Sequence, residues 1–215
     1  MDCNISDLVN EGVVLVKGLP GAGKTLLAAK AASRFNNVVW FTFYETADRL
    51  AKYLSSVGLK PPRHVFDLVA VRDKAAVEYI VETTLQLNPD AVVIDGLSAL
   101  NLGDERELVH AVFYHGISRQ IPVILIKEGT DISPADYLAD VILEIDHRLL
   151  EGGVSIRYVK VLKARGRYVR YAYLPYVLAE EGPVVIAPRE EARQPPETGS
   201  PQARLSSTRR LEAGS

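Results

Sequence analysis

An α/β fold, with a mainly parallel central sheet flanked by helices and a C-terminal antiparallel hairpin, is predicted by three features of the sequence. Short β-branched runs alternate with longer stretches of helical pattern, as parallel strands joined by right-handed crossovers do. Ala91-Val-Val-Ile94 and Val123-Ile-Leu-Ile126 are apolar without alternation, the mark of strands covered on both faces. The last third switches to alternating residues around a basic turn, the mark of a hairpin.

The first strand is expected over 13–16 (VVLV), and a glycine-rich turn leads from it into a helix over 24–34. A strand over 38–43 (VVWFTF) and a helix over 47–57 follow, then a strand over 65–71 and a helix over 74–87. The strand AVVI at 91–94 precedes a helix over 105–119, and strands at 122–126 and 141–145 complete the parallel part. Segments 154–162 and 168–174 alternate, with Arg165, Gly166 and Arg167 between them as the hairpin loop. Residues 1–187 therefore read as one domain. Residues 188–215 contain four prolines, four serines and no Ile, Val, Phe, Tyr or Trp, too little apolar surface to offset ordering entropy, and are expected to be a disordered tail.

Composition excludes several classes. With 215 residues, 47% of them hydrophobic, the chain can bury a sizeable core. Its 25 Lys and Arg against 27 Asp and Glu leave a net charge of −2, which argues against a general nucleic-acid coat. A single cysteine, Cys3, permits neither an intramolecular disulfide nor a cysteine-cluster metal site. No apolar run approaches the ~18 to 20 residues of a membrane helix, and the acidic N-terminus does not read as a signal peptide. A cytoplasmic location is expected.

The chemistry concentrates in Gly18-Leu19-Pro20-Gly21-Ala22-Gly23-Lys24-Thr25, which matches G-x-x-x-x-G-K-[ST] between a strand and a helix. Glycines at these places let successive N–H groups turn inward around a phosphate, and the following helix presents the positive end of its dipole. Lys24 would reach the β- and γ-phosphates and Thr25 would ligate magnesium. Asp95, closing Ala-Val-Val-Ile-Asp, is the carboxylate expected to help hold that magnesium. Glu45, after the strand VVWFTF, is placed to polarise a water attacking the γ-phosphate. The other reading of Glu45 is a glutamate in the first turn of a helix capped by Thr46.

Taken together, GLPGAGKT, VVWFTFYE at 38–45, AVVIDGLSAL at 91–100, and ADVILEID followed by a strand ending Lys163-Ala-Arg165-Gly166 resemble the RecA superfamily. Within it the chain is most similar to the KaiC-like ATPases widespread in archaea, over nearly all of residues 10–175. The resemblance implies a RecA-like fold that binds ATP and Mg2+, with Glu45 catalytic and with Lys163 and Arg165 reaching a neighbouring subunit's γ-phosphate in a homo-oligomeric ring, a hexamer. Residues two apart on a strand leave the same face, so two adjacent cations there repel unless an anion lies between them or water screens them; an arginine finger of this kind contributes about 10³ to 10⁵ in rate, and the other reading is a solvated basic hairpin that includes Lys160, Arg167 and Arg170.

The chain departs from the family pattern at Gly96, where Ser or Thr commonly follows the aspartate, and at Tyr44-Glu45, where two acids are usual. It also departs at Lys127-Glu128, where a hydroxyl or amide more often senses the γ-phosphate. The expected function is slow, regulatory ATP hydrolysis at an intersubunit site. Alternatives are a factor resembling the RadA paralogues that regulates binding to single-stranded DNA, a nucleotide-gated scaffold without turnover, and, less favoured, a small-molecule kinase. Tyr168, Tyr171, Tyr173 and Tyr176 beside Arg165, Arg167 and Arg170 permit nucleic-acid stacking, though a half-buried hairpin using β-favouring tyrosines is the favoured reading. His64, His110, His115 and His147 have no ligand-like spacing. Asp146, Arg148 and Glu151 are expected in a solvated turn.

Overall fold

The computed structural model describes residues 12–71, 74–114, 117–149, 155–166, 169, 172–179 and 182–186. The tail at 188–215, together with Glu151, Arg167, Tyr168, Arg170, Tyr171 and His115, lies outside them.

One nine-stranded sheet runs β3-β2-β4-β5-β1-β6-β7-β8-β9. Its parallel part comprises β1 (Val13–Gly18), β2 (Val38–Thr42), β3 (His64–Asp67), β4 (Ala91–Asp95) and β5 (Val123–Glu128). The long strand β6 (Val141–Leu149) is parallel to β1 on one side and antiparallel to β7 (Ser155–Ala164) on the other. Strands β8 (Tyr173–Ala179) and β9 (Gly182–Val185) continue the antiparallel half. The helices are α1 (Lys24–Ala32), α2 (Ala47–Ser56), α3 (Lys74–Leu87), α4 (Leu102–Tyr114), α5 (Ile117–Gln120) and α6 (Pro134–Leu138). The mixed α/β architecture, mostly parallel with antiparallel strands at the C-terminal side, agrees with a RecA-like fold.

Continuous apolar strands produce two cores. Val14, Val16, Trp40 and Val93 point to one face and pack with Leu26, Leu50 and Leu54 of α1 and α2. Val13, Leu15, Phe41, Val92 and Ile94 point to the other and pack with Ile80 of α3 and Leu108 of α4. Each fully buried side chain of this size contributes roughly 1.5 to 3 kcal/mol over its exposed state. Helix α1 is enclosed nearly all round: Lys24, Leu26, Leu27, Ala28, Ala29, Ala31 and Ala32 are buried. Its alanines let β9 pack against it, and Tyr176 and Val185 join the same core.

Several boundaries differ from those read in the sequence. The fourth helix begins at Leu102, because the Asn101 side chain accepts hydrogen bonds from the N–H groups of Gly103 (2.9 Å) and Asp104 (3.0 Å) and caps the turn. Strand β3 stops at Asp67, and Val71 closes a turn by donating to the Leu68 carbonyl at 3.0 Å. The expected hairpin loop at 165–167 is a longer connection, since β8 starts at Tyr173 and Val161 N–H donates to Ala172 O at 2.9 Å. Asp146 and Arg148 are not in a turn but on β6, where Lys160 lies 3.0 Å from Glu144 and 3.1 Å from Asp146. Helix α6 and strand β9 were not read in the sequence. The signal for α6 was present, as Ser133-Pro134-Ala135-Asp136 carries a cap, a proline at the first helical position and an acid that accepts from Ser133 N–H at 3.0 Å. Among the described residues no helix is long and apolar enough to cross a membrane.

Candidate functional site

The site lies at the carboxyl ends of β1, β4 and β5, where the chain's crossovers change direction; in open α/β sheets the crevice at such a point receives the ligand. Gly18 ends β1 and is held to Gly129 by reciprocal main-chain hydrogen bonds of 3.1 and 2.9 Å. It adopts a φ of +152°, and a Cβ there would overlap the Ile145 carbonyl. Leu19 to Gly23 then turn the chain, Ala22 N–H donating to Leu19 O at 3.2 Å. Gly23, at φ +98°, is the residue from which α1 starts. Its carbonyl accepts from the Tyr176 hydroxyl at 3.1 Å, so β8 fixes the foot of the loop. Burial raises the Tyr176 hydroxyl's pKa far above its ordinary value, which keeps it a donor.

Lys24 opens α1 and is buried. Its ammonium donates to Leu19 O at 2.8 Å and to Glu128 Oε2 at 2.7 Å. Thr25 Oγ1 donates to Asp95 Oδ2 at 3.1 Å, joining residues 70 apart in the chain. Withdrawal from water at the end of β4 pushes the Asp95 carboxyl up to about 7; the charges of Glu128 and Glu45 add to the rise, while the Thr25 hydrogen bond and Lys24 oppose it.

Glu45 lies three residues beyond the end of β2 and ahead of the cap of α2, because Thr46 Oγ1 accepts from Arg49 N–H at 3.4 Å. It is not, therefore, a first-turn residue of that helix. Its N–H donates to Thr42 Oγ1 at 3.3 Å. Glu45 Oε2 is buried and has no hydrogen-bond partner among the described residues.

The structure thus gathers Lys24, Thr25, Asp95 and Glu45, and adds Glu128, which the sequence marked only as a departure. It does not bring Lys163 and Arg165 to them. A register shift between Ile142 and Leu143 leaves Leu162 as an extra residue in β7, so Lys163 pairs with Ile142 and faces α6 instead of α1. Its ammonium donates to the carbonyls of Asp136 and Tyr137, both at 3.1 Å, at the end of α6. Arg165 Nη1 lies 3.3 Å from Asp140 Oδ1. Because β6 is parallel to β1, and Val141 pairs with Ala164, this pair sits beside the start of β1, about 16 Å from the loop at its other end.

The residues present fit a magnesium-bound nucleotide: a hydroxyl and a carboxylate converge at Thr25 and Asp95, and an ammonium stands next to the turn of glycines. Magnesium keeps several waters and needs only one or two protein oxygens. Among the described residues no group of three or more His, Cys, Asp or Glu side chains forms a protein-only metal cage.

No family model matches the chain. It is similar to the DNA repair protein RadA of Haemophilus influenzae, 26% identical over 180 residues, an alignment that takes in 75% of this chain and 37% of that protein. The chain therefore corresponds to little more than a third of that relative's length. The likeness agrees with a RecA-type ATPase and does not distinguish the KaiC-like group.

Proposed function

We propose that the protein is a magnesium-dependent ATPase of RecA-like, KaiC-like type, hydrolysing ATP slowly at a site shared between subunits of a homo-oligomeric ring and serving a regulatory role. The observation that carries the reading is the Thr25–Asp95 hydrogen bond of 3.1 Å at the foot of the glycine turn, with the buried Lys24 ammonium beside it. Main-chain N–H groups of the turn, without Pro20, which has none, and Gly18, whose N–H is held by Gly129 O, would hold the phosphates together with the Lys24 ammonium, while Thr25 and Asp95 would hold the magnesium. The metal would supply positive charge against the phosphate oxygens. Glu45, with one carboxylate oxygen buried and unpartnered among the described residues, would accept a hydrogen bond from the attacking water and orient it. Arg165, with Lys163, would approach from a neighbouring subunit, since within one chain both lie at the far end of β1.

The test is ATP hydrolysis against protein concentration, with Glu45→Gln in parallel. The expected result is a specific activity that rises with concentration and falls by about 10² or more in the variant. Turnover unchanged in Glu45→Gln would remove Glu45 from the mechanism.

The likeness to a DNA repair protein favours a second reading, in which the same ATP site regulates binding to single-stranded DNA. Its mark would be salt-sensitive DNA binding that is lost on charge reversal at Arg167 and Arg170.

A further inference from the structure

We propose that Glu128 gates the site: its carboxylate holds the Lys24 ammonium, and a polyphosphate must displace that carboxylate to bind. The inference rests on the nucleotide-binding reading of the loop and adds to it a regulatory contact.

Three observations support it. The Lys24–Glu128 contact of 2.7 Å is a charge-assisted hydrogen bond, and the Lys24 side chain is only 3% exposed, so the ammonium has few other partners within reach. The main chain of Glu128 is fixed, because Ser98 Oγ accepts from its N–H at 2.9 Å and lies 3.1 Å from its carbonyl oxygen as donor. The Glu128 side chain is 32% exposed, so rotation about its own torsions can carry the carboxylate into water while the backbone stays in place.

The charge balance gives the contact its direction. Asp95 feels the negative charges of Glu128 and Glu45 as well as the Lys24 ammonium, Glu128 is in direct contact with that ammonium, and a triphosphate arriving there adds further negative charge. Two anions cannot share the Lys24 ammonium without repulsion, so the affinity of the loop for phosphate is reduced by whatever it takes to move Glu128 away. Groups that compete for Lys24, the β- and γ-phosphates, feel this reduction; an α-phosphate alone does not. Ser98, two residues beyond Gly96, therefore acts through Glu128 and not through Asp95, as a positioning residue.

The alternative is that Glu128 only neutralises a buried lysine. The two differ in sign. A gate predicts that removing the charge tightens binding, whereas a neutralising partner predicts that it weakens binding and the fold together.

The test is equilibrium binding of ATP, ADP and AMP, with magnesium, to the full chain and to Glu128→Gln, Ser98→Ala, the double variant and Lys24→Ala, each checked for folding by circular dichroism. Glu128→Gln is expected to bind ATP and ADP about three- to tenfold more tightly, with AMP unchanged. Ser98→Ala should tighten binding by less, and only while Glu128 is present. Glu128→Asp, which withdraws the carboxylate by one methylene, should move in the same direction as Gln and serves if Gln disturbs the fold. Equal or weaker ATP binding by folded Glu128→Gln or Glu128→Asp, beside a wild type that binds, overturns the gate alone. Failure of both wild type and Glu128→Gln to bind any nucleotide, or binding that ignores Lys24→Ala, overturns the nucleotide reading itself.

Discussion

At the carboxyl ends of β1, β4 and β5, three carboxylates and one ammonium share a small volume, whereas at the opposite end of β1 the cations Lys163 and Arg165 are matched to fixed acceptors. At the loop end Asp95 is pushed up to about 7 and Glu45 Oε2 is buried without a described partner. At the far end Lys163 caps the last carbonyls of α6 and Arg165 pairs with Asp140, whose other oxygen accepts from Val13 N–H at 3.0 Å. The first arrangement carries an excess of negative charge that a cation would relieve; the second has its donors matched within one chain, although desolvation and the Arg165 charge hold the Lys163 pKa below its ordinary value. On the proposed function, such a difference separates a place built to take an ion from a place that stabilises the fold. A residue of the second kind can still serve chemistry, but only in a neighbour's site.

The largest effect that would break this comparison is therefore on turnover. If Arg165 acts across a subunit boundary, Arg165→Ala loses about 10³-fold or more in ATP hydrolysis. Mixing it with Lys24→Ala should restore part of the lost activity, because a Lys24→Ala subunit still offers Arg165 to a neighbour whose loop is intact. Activity retained by Arg165→Ala, or no recovery on mixing, would leave the far end purely structural.

A smaller effect sharpens the loop end. The native state holds the Asp95 proton up to about pH 7, whereas the unfolded chain releases it near pH 4. Asp95 therefore lowers stability as pH rises from about 4 to 7, and the loss is complete above that window. Asp95→Asn removes the dependence and should stabilise the fold at pH 8 in chelator, by on the order of 3 kcal/mol, while abolishing magnesium-dependent turnover. Denaturant titrations of both proteins between pH 5 and 8 measure it: their difference should grow with pH. A constant difference would mean that Asp95 is ionised throughout.

Much of this contrast was legible in the residues. The motif fixed Lys24 and Thr25, and the all-apolar run before Asp95 placed it at a strand end beside them. What could not be read was set by register. One extra residue at Leu162 turned Lys163 toward α6, and nothing in its composition distinguishes a bulge from an alternating strand. The position of Glu128 followed from β5 lying between β4 and β1, an order visible only in the folded sheet. Tyr176, 153 residues from Gly23, reached the loop because β7–β9 fold over α1. The cap that makes α6 a helix, by contrast, lay in plain sequence at Ser133 to Asp136.

The smaller predictions concern stability at the far end. Lys163→Ala should cost about 1 kcal/mol, because two carbonyls at the end of α6 lose a charged donor.

Arg165→Ala should cost less, about 0.5 kcal/mol or below, since its partner Asp140 keeps the Val13 hydrogen bond and the Arg165 side chain is 59% exposed. That smallest change in stability falls on a residue with a large expected change in turnover. Thermal unfolding of Arg165→Ala beside its hydrolysis rate reads both at once. A near-native melting temperature with lost turnover would place the work of Arg165 outside its own chain. A parallel loss of both would return it to the role that Lys163 already fills, that of holding α6 and the start of β6 together.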